Sequence, residues 1–144
     1  MERRDWMGLC ARARPERLAA LVDALGDAPA YDWLRAPEAG SVMVRGRAGG
    51  HGAAFNLGEV TATRCALRTA DGAEGHAIVQ GRDRDHATRA ALVDALMQGA
   101  RAERVRRLVL DPLAREEAAR RETTARKAEA TRVDFETLVR GEDP

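Results

Sequence analysis

"EVTATRCALRTADGAEGHAIVQG", residues 59–81, decides the fold. Two β-rich runs flank Asp71-Gly72, a pair suited to a type I′ turn because both central residues need positive φ. The stretch reads as a β-hairpin. With that two-residue turn as the register, Leu67 faces His76, Cys65 faces Ile78 and Thr63 faces Gln80. Those residues share one side of the ribbon. Arg64, Ala66 and Arg68 share the other with Ala77 and Val79. Neither face is clean, so both are expected to be covered, one by helices of this chain and the other by something else.

Upstream, "YDWLRAP" (31–37) and "GSVMVRGR" (40–47) read as two further strands, with Pro37, Glu38, Ala39 and Gly40 as the turn between them. "RAGGHG" (47–52) reads as a loop tip, since three glycines in six residues hold a ladder poorly. Before these strands come two helices. In residues 3–13, Trp6, Leu9, Cys10 and Ala13 fall on one face. In "RPERLAALVDALGD", Pro15 suits the first turn, Leu18, Leu21, Val22 and Leu25 form the stripe, and Gly26 stops the helix.

Downstream, residues 84–100 read as a helix burying Leu92, Val93, Leu96 and Met97. Residues 101–113 are helical or mixed and broken at Asp111-Pro112. From about 113 to 139 runs a long charged helix with a thin stripe of Ala118, Ala125, Ala128, Phe135, Leu138 and Val139. Such a helix gains little burial from its own fold, so residues 113–140 are expected to dock on a partner. The expected fold is α+β in one domain, 1–144: an antiparallel sheet of about four strands, two N-terminal helices and a long C-terminal helical segment.

Composition narrows the function. The chain has 144 residues, of which 44% are hydrophobic but only 3% aromatic, so Leu, Val and Ala must build a modest core. Net charge is +1, which argues against a sequence-independent grip on nucleic acid or anionic lipid. Cys10 and Cys65 lie far apart and match no metal spacing. The start "MERRDWMGLC" has no apolar stretch of the kind that directs secretion, and no run of 18 apolar residues exists. A reducing cytoplasm with free thiols is the expected setting.

The candidate chemistry sits at the corner Gly81–His86, where strand turns into helix. A helix N-terminus presents backbone N–H groups and a positive dipole end, and Arg82, Arg84 and Arg89 add donors suited to phosphate. Asp83 and Asp85 sit where an anion would go, and Asp at an N-cap satisfies the same N–H groups. Both readings stand, a capped turn and an anion contact, with capping the weightier. His86 shares a face with Ala90, Val93 and Met97 and reads first as a partly buried residue near the cap. His76 in its strand and His51 in the glycine-rich loop carry less. The three histidines show no metal-binding spacing. Ser41 is the sole serine and lies in no nucleophile elbow. Cys65 sits mid-strand, where buried and inert is the common case. Arg64 and Arg68 could clamp an anion, though strand arginines more often meet water or a partner's carboxylates.

Three stretches together are more specific than any of these features. They are "RDWMGLCARARPERL" near the start, "FNLGEVTATRCALRTADGAEGHAIVQGRDRDHATRAALVDALMQ" (55–98) and "ATRVDFETLVRG" (130–141). From about Arg4 to Gly141 the chain resembles the PhnG family, subunits of the bacterial carbon–phosphorus lyase system for phosphonate catabolism. The resemblance implies an accessory subunit of a core complex with the I, H and J subunits (PhnI, PhnH, PhnJ), and with PhnL as a functional partner. There the I subunit transfers ribose 5-triphosphate from ATP to an alkylphosphonate and releases adenine. It implies no cofactor in this chain, with the iron–sulfur cluster and S-adenosylmethionine belonging to the J subunit, and no assigned catalytic residue. A homodimer or two copies per complex stay open. The family motif falls on Glu59, Thr61, Arg64, Gln80, Gly81, Arg82, Asp83, His86, Arg132 and Asp134. Of these, Arg64, Gln80, Arg82, Asp83, His86, Arg132 and Asp134 are the candidate substrate or partner contacts.

Overall fold

The computed structural model describes residues 1–26 and 28–133. Helices α1 (Arg3–Arg12) and α2 (Pro15–Asp23) lead into three strands, β1 (Tyr31–Arg47), β2 (Ala54–Thr69) and β3 (Glu74–Gln80). Then come α3 (Arg84–Leu96), a short α4 (Ala102–Val105), a π-helical turn (Arg106–Leu110) and α5 (Asp111–Ala130). The strands form an antiparallel meander in the order β1-β2-β3. Helix α3 lies on one face of β2 and β3, and α1 and α2 pack against α3. The expected α+β class holds, with two N-terminal helices and a long C-terminal one, but α5 ends at Ala130, where Thr131 leaves helical geometry, short of the expected end near 139.

The described sheet has three strands, where the sequence suggested about four. Residues 31–37 and 40–47 belong to one strand, and Pro37 marks an irregularity in it, not a turn. Arg35 pairs with Ala66 and Glu38 with Arg64, so Ala36 and Pro37 together oppose Cys65 alone. A proline cannot donate to a ladder, and a bulge on an edge strand is where a sheet tolerates one.

The hairpin register also differs from the expected one, by a single residue. Leu67 pairs with Gly75, Cys65 with Ala77 and Thr63 with Val79. The cause lies in the turn. The Gly72 N–H donates to the Thr69 carbonyl at 2.8 Å, Thr69 N–H donates to the Ala73 carbonyl at 2.9 Å, and Gly72 has φ +88°. This is a three-residue loop with a left-handed glycine, not a two-residue turn. A slip of one residue exchanges the faces of one strand relative to the other. Thr63, Cys65 and Leu67 now share the buried side with Gly75, Ala77 and Val79, while His76, Ile78 and Gln80 face outward. The face that was ambiguous in sequence becomes a clean core face.

The core joins that face to α3, whose residues 90–96 are all buried, as is Met97 at its C-cap. The four residues Leu92, Val93, Leu96 and Met97 are buried as expected. Past α3, the expected break at Asp111-Pro112 does not occur. Pro112 sits in the first turn of α5, and the widened turn before it, closed by Asp111 N–H to the Arg106 carbonyl, carries the rod through. Proline lacks an N–H and crowds the carbonyl four residues back, and a π turn relieves such crowding locally. Only Leu113 of α5 is buried, and the described residues from Ala118 onward are exposed.

Candidate functional site: the Gly81–His86 corner and the β1–β2 ribbon

The corner is built from backbone and capping bonds. Gly81, at φ +94°, lets the chain leave β3, a conformation costly for any residue with a Cβ. Its N–H donates to the Thr61 carbonyl at 2.9 Å, and the buried Thr63 hydroxyl donates to the Gly81 carbonyl at 2.8 Å. Asp83 is the N-cap of α3, its carboxylate accepting from the His86 N–H at 2.8 Å. The capped-turn reading therefore holds for Asp83.

His86 is buried at 4% exposure, and its Nε2 lies 2.8 Å from the Cys10 carbonyl oxygen. A carbonyl only accepts, so Nε2 carries the shared proton. The ring ties α3 to α1 and points inward. Arg82 does the opposite: it is exposed, and among the described residues it makes no ion pair or hydrogen bond. Gln80 is exposed at the end of β3.

Arg64 is answered from within the chain. Its Nη2 donates to Glu38 Oε1 at 2.9 Å across the β1–β2 ladder. That guanidinium holds the Glu38 carboxyl below the usual carboxylate range. Arg68 pairs likewise with Glu74. Arg132 is exposed and lies 3.6 Å from Glu129, far along the chain from the corner. Asp134, with Phe135, Leu138 and Val139, lies outside the described residues. The structure thus brings Gln80, Arg82, Asp83 and His86 to one corner, with Arg64 on the neighbouring strand, while Arg132 lies just past the end of α5.

Sequence reasoning missed the polar centre of the fold. Asp94 is fully buried and accepts four hydrogen bonds. Two come from Arg3, at 3.1 Å from Nε and 2.7 Å from Nη2; one comes from Trp6 Nε1 at 2.9 Å and one from the His76 N–H at 2.9 Å. It pins α1 and β3 to α3, and its charge is met by a guanidinium. The signal was its place in "LVDALM", a carboxylate amid residues the pattern itself buries.

Both thiols are buried and free. Burial pushes the Cys10 thiol up to about 12, with the Asp94 charge adding to the effect, and pushes Cys65 up to about 11. Neither is suited to act as a nucleophile. Among the described residues no cluster of three His, Cys, Asp or Glu could hold a metal, and no helix is long and apolar enough to cross a membrane.

The other conspicuous surface is the distal half of the β1–β2 ribbon. Val42 and Val60 pair across it at 49% and 38% exposure. Val44 lies on the same side as Val42. Phe55 (44%) and Leu57 (65%) sit together beside Gly46, near the tip. Full burial of one such side chain contributes about 1.5–3 kcal/mol, so four exposed together, beside the half-buried Val44, leave a large contribution unclaimed. The charged residues between Ser41 and Gly58 are Arg45 and Arg47, with no carboxylate. The distal ribbon is thus cationic toward its tip and exposes apolar side chains along one side.

A fold of this kind, with a capped corner and an apolar stripe left open on the β1–β2 ribbon, defines a small α+β protein with surface to offer a partner. The family model "Phosphonate metabolism protein PhnG" matches residues 1–141. The chain is 45% identical over 146 residues to the alpha-D-ribose 1-methylphosphonate 5-triphosphate synthase subunit PhnG of Rhizobium meliloti (strain 1021), covering 99% of this chain and 91% of that one. The chain belongs to the PhnG family.

Proposed function

We propose that this chain is the G-type subunit of an alpha-D-ribose 1-methylphosphonate 5-triphosphate synthase, serving phosphonate catabolism. In this reading it is an accessory chain. It supports an I-type subunit that moves ribose 5-triphosphate from ATP onto an alkylphosphonate with release of adenine, alongside H- and J-type subunits, with an L-type chain as functional partner. The iron–sulfur and S-adenosylmethionine chemistry of carbon–phosphorus cleavage belongs to the J-type chain, and this one holds no cofactor.

The observation that carries the reading is the apolar stripe of the β1–β2 ribbon. An isolated two-stranded ribbon is marginal in water, and exposed apolar stripes rimmed by polar residues mark protein interfaces. The occupant is another subunit of the complex, with an apolar cleft edged by carboxylates to answer Arg45 and Arg47. The exposed length of α5 supplies a second contact. The test is a Phe55→Glu, Leu57→Glu double variant co-expressed with the other subunits. Both side chains already face water, so circular dichroism should match wild type. Co-purification of the partners should fall tenfold or more. Undiminished recovery of the complex with full synthase turnover overturns the ribbon as the dock.

A second reading, favoured by the unpaired Arg82, has the chain lend phosphate- or phosphonate-binding residues to an active site at a subunit interface.

A further inference from the structure

Where the ribbon leaves the body of the molecule, a hollow of about 190 Å³ opens between β1, β2 and the start of α3. Ala39, Gly40, Ser41, Thr61 and Arg82 line it. Ser41 and Thr61 are direct cross-strand partners, so their side chains project to the same side. Among the described residues neither hydroxyl is hydrogen-bonded and the Arg82 guanidinium has no partner. The lining holds no carboxylate. Asp83, the acid nearest in sequence, is held by the cap of α3, and Glu38, next to Ala39, is held by Arg64. Glu59 lies two residues before Thr61 on the same side of β2 but outside the lining. The corner is fixed in place, since Thr61 and Thr63 both bond Gly81 immediately before Arg82.

Two free hydroxyls and one free guanidinium around a carboxylate-free hollow form a donor set for a tetrahedral oxyanion. We infer that Ser41, Thr61 and Arg82 form a subsite for a phosphoryl or phosphonyl group. The inference rests on the subunit reading above and gives its second form a place. The same chemistry could come from the phosphonate substrate or from a triphosphate tail.

The test is calorimetric titration of the assembled complex with methylphosphonate, inorganic phosphate and inorganic triphosphate, in wild-type, Arg82→Gln and Ser41→Ala forms. Arg82→Gln should weaken binding of at least one probe tenfold or more, and Ser41→Ala two- to fivefold. A loss confined to methylphosphonate assigns the hollow to the phosphonate; a loss confined to triphosphate assigns it to the nucleotide tail. Binding unchanged in both variants overturns the subsite, as does a wild-type complex that takes up none of the three probes. Where Arg82→Gln fails to assemble, Ser41→Ala decides, and its unchanged affinity overturns the proposal. A wild-type chain that recruits no other subunit overturns the subunit reading itself, so the two failures are distinct.

Discussion

Gly75 shows how a single atom sets the architecture. A Cβ built there would stand 1.9 Å from the Ala91 carbonyl oxygen and 2.9 Å from the Ala95 nitrogen. Strand β3 and helix α3 approach backbone to backbone at this point, and Ala91 and Ala95 keep the helix side equally small. The obstacle is backbone, which cannot rotate away, so Gly75→Ala must push the strand from the helix. Its cost should reach the upper part of the overpacking range, about 3 kcal/mol. Gly40→Ala, with nothing within 4 Å of the new Cβ, should change stability by less than about 0.5 kcal/mol. Urea unfolding of the two variants checks both values. Equal, small effects would mean that the close approach does not limit the packing.

The buried thiols make a second claim at this scale. Their raised values favour the protonated form in the fold. The stability they contribute is fully present below the ordinary thiol value of 9.0. It is lost as pH rises from there through about 11 for Cys65 and about 12 for Cys10. At pH 8 a thiol reagent should therefore label neither cysteine in the native protein and both in denaturant. Fast labelling of the native chain would contradict the burial.

At the scale of elements, what the sequence disclosed follows from how local each signal is. Helices α1, α2 and α3 were legible because their apolar spacing and stop signals lie within one or two turns. The hairpin's existence was legible for the same reason, but its register was not. Asp71-Gly72 fits a two-residue and a three-residue loop equally, and only the packing of Ala77 and Val79 on α3 selects the second. Pro37 misled in the same way. Read locally it ends a strand; in the sheet it occupies a bulge on an edge that can absorb it. Pro112 reads as a break until the π turn before it is seen. The site divides along the same line. Asp83 as a cap and His86 as an inward residue were legible in the corner itself. Arg64's partner Glu38 and the Ser41–Thr61 pair were not, because each depends on ladder register across strands more than 15 residues apart. Asp94 was missed because a buried carboxylate is explained only by donors from α1 and β3.

For the whole molecule the question is how much of the chain serves its own fold and how much serves an assembly. Helix α5 divides in two on this point. Its first two turns belong to the body: Leu113 is buried at 4%, Glu117 accepts from Arg12 Nε at 2.8 Å, and Glu116 accepts from Arg17 Nε at 2.8 Å. The Arg12 guanidinium lowers the Glu117 carboxyl, as expected for a charge held at the α1–α5 seam. From Ala119 to Ala130 the described helix is exposed, with polar side chains and one internal pair to the body-anchored turn, Glu117–Arg121 at 3.0 Å. A dozen residues of exposed helix is marginal on its own, and exposed pairs contribute little. Removing residues 113–144 would strip Leu113 from the core and confuse folding with docking. A stop after Ala118 separates them. The shortened chain should keep the wild-type far-UV spectrum per residue in its body. Its urea midpoint should lie close to that of the full chain, because no buried described residue is lost. Its recovery with the other subunits should fall severalfold, less than for the ribbon double variant, since the apolar stripe remains. Full recovery of the complex would show that residues 119–144 are no part of the dock. A collapsed urea midpoint would show that they stabilise the body in a way their exposure does not predict.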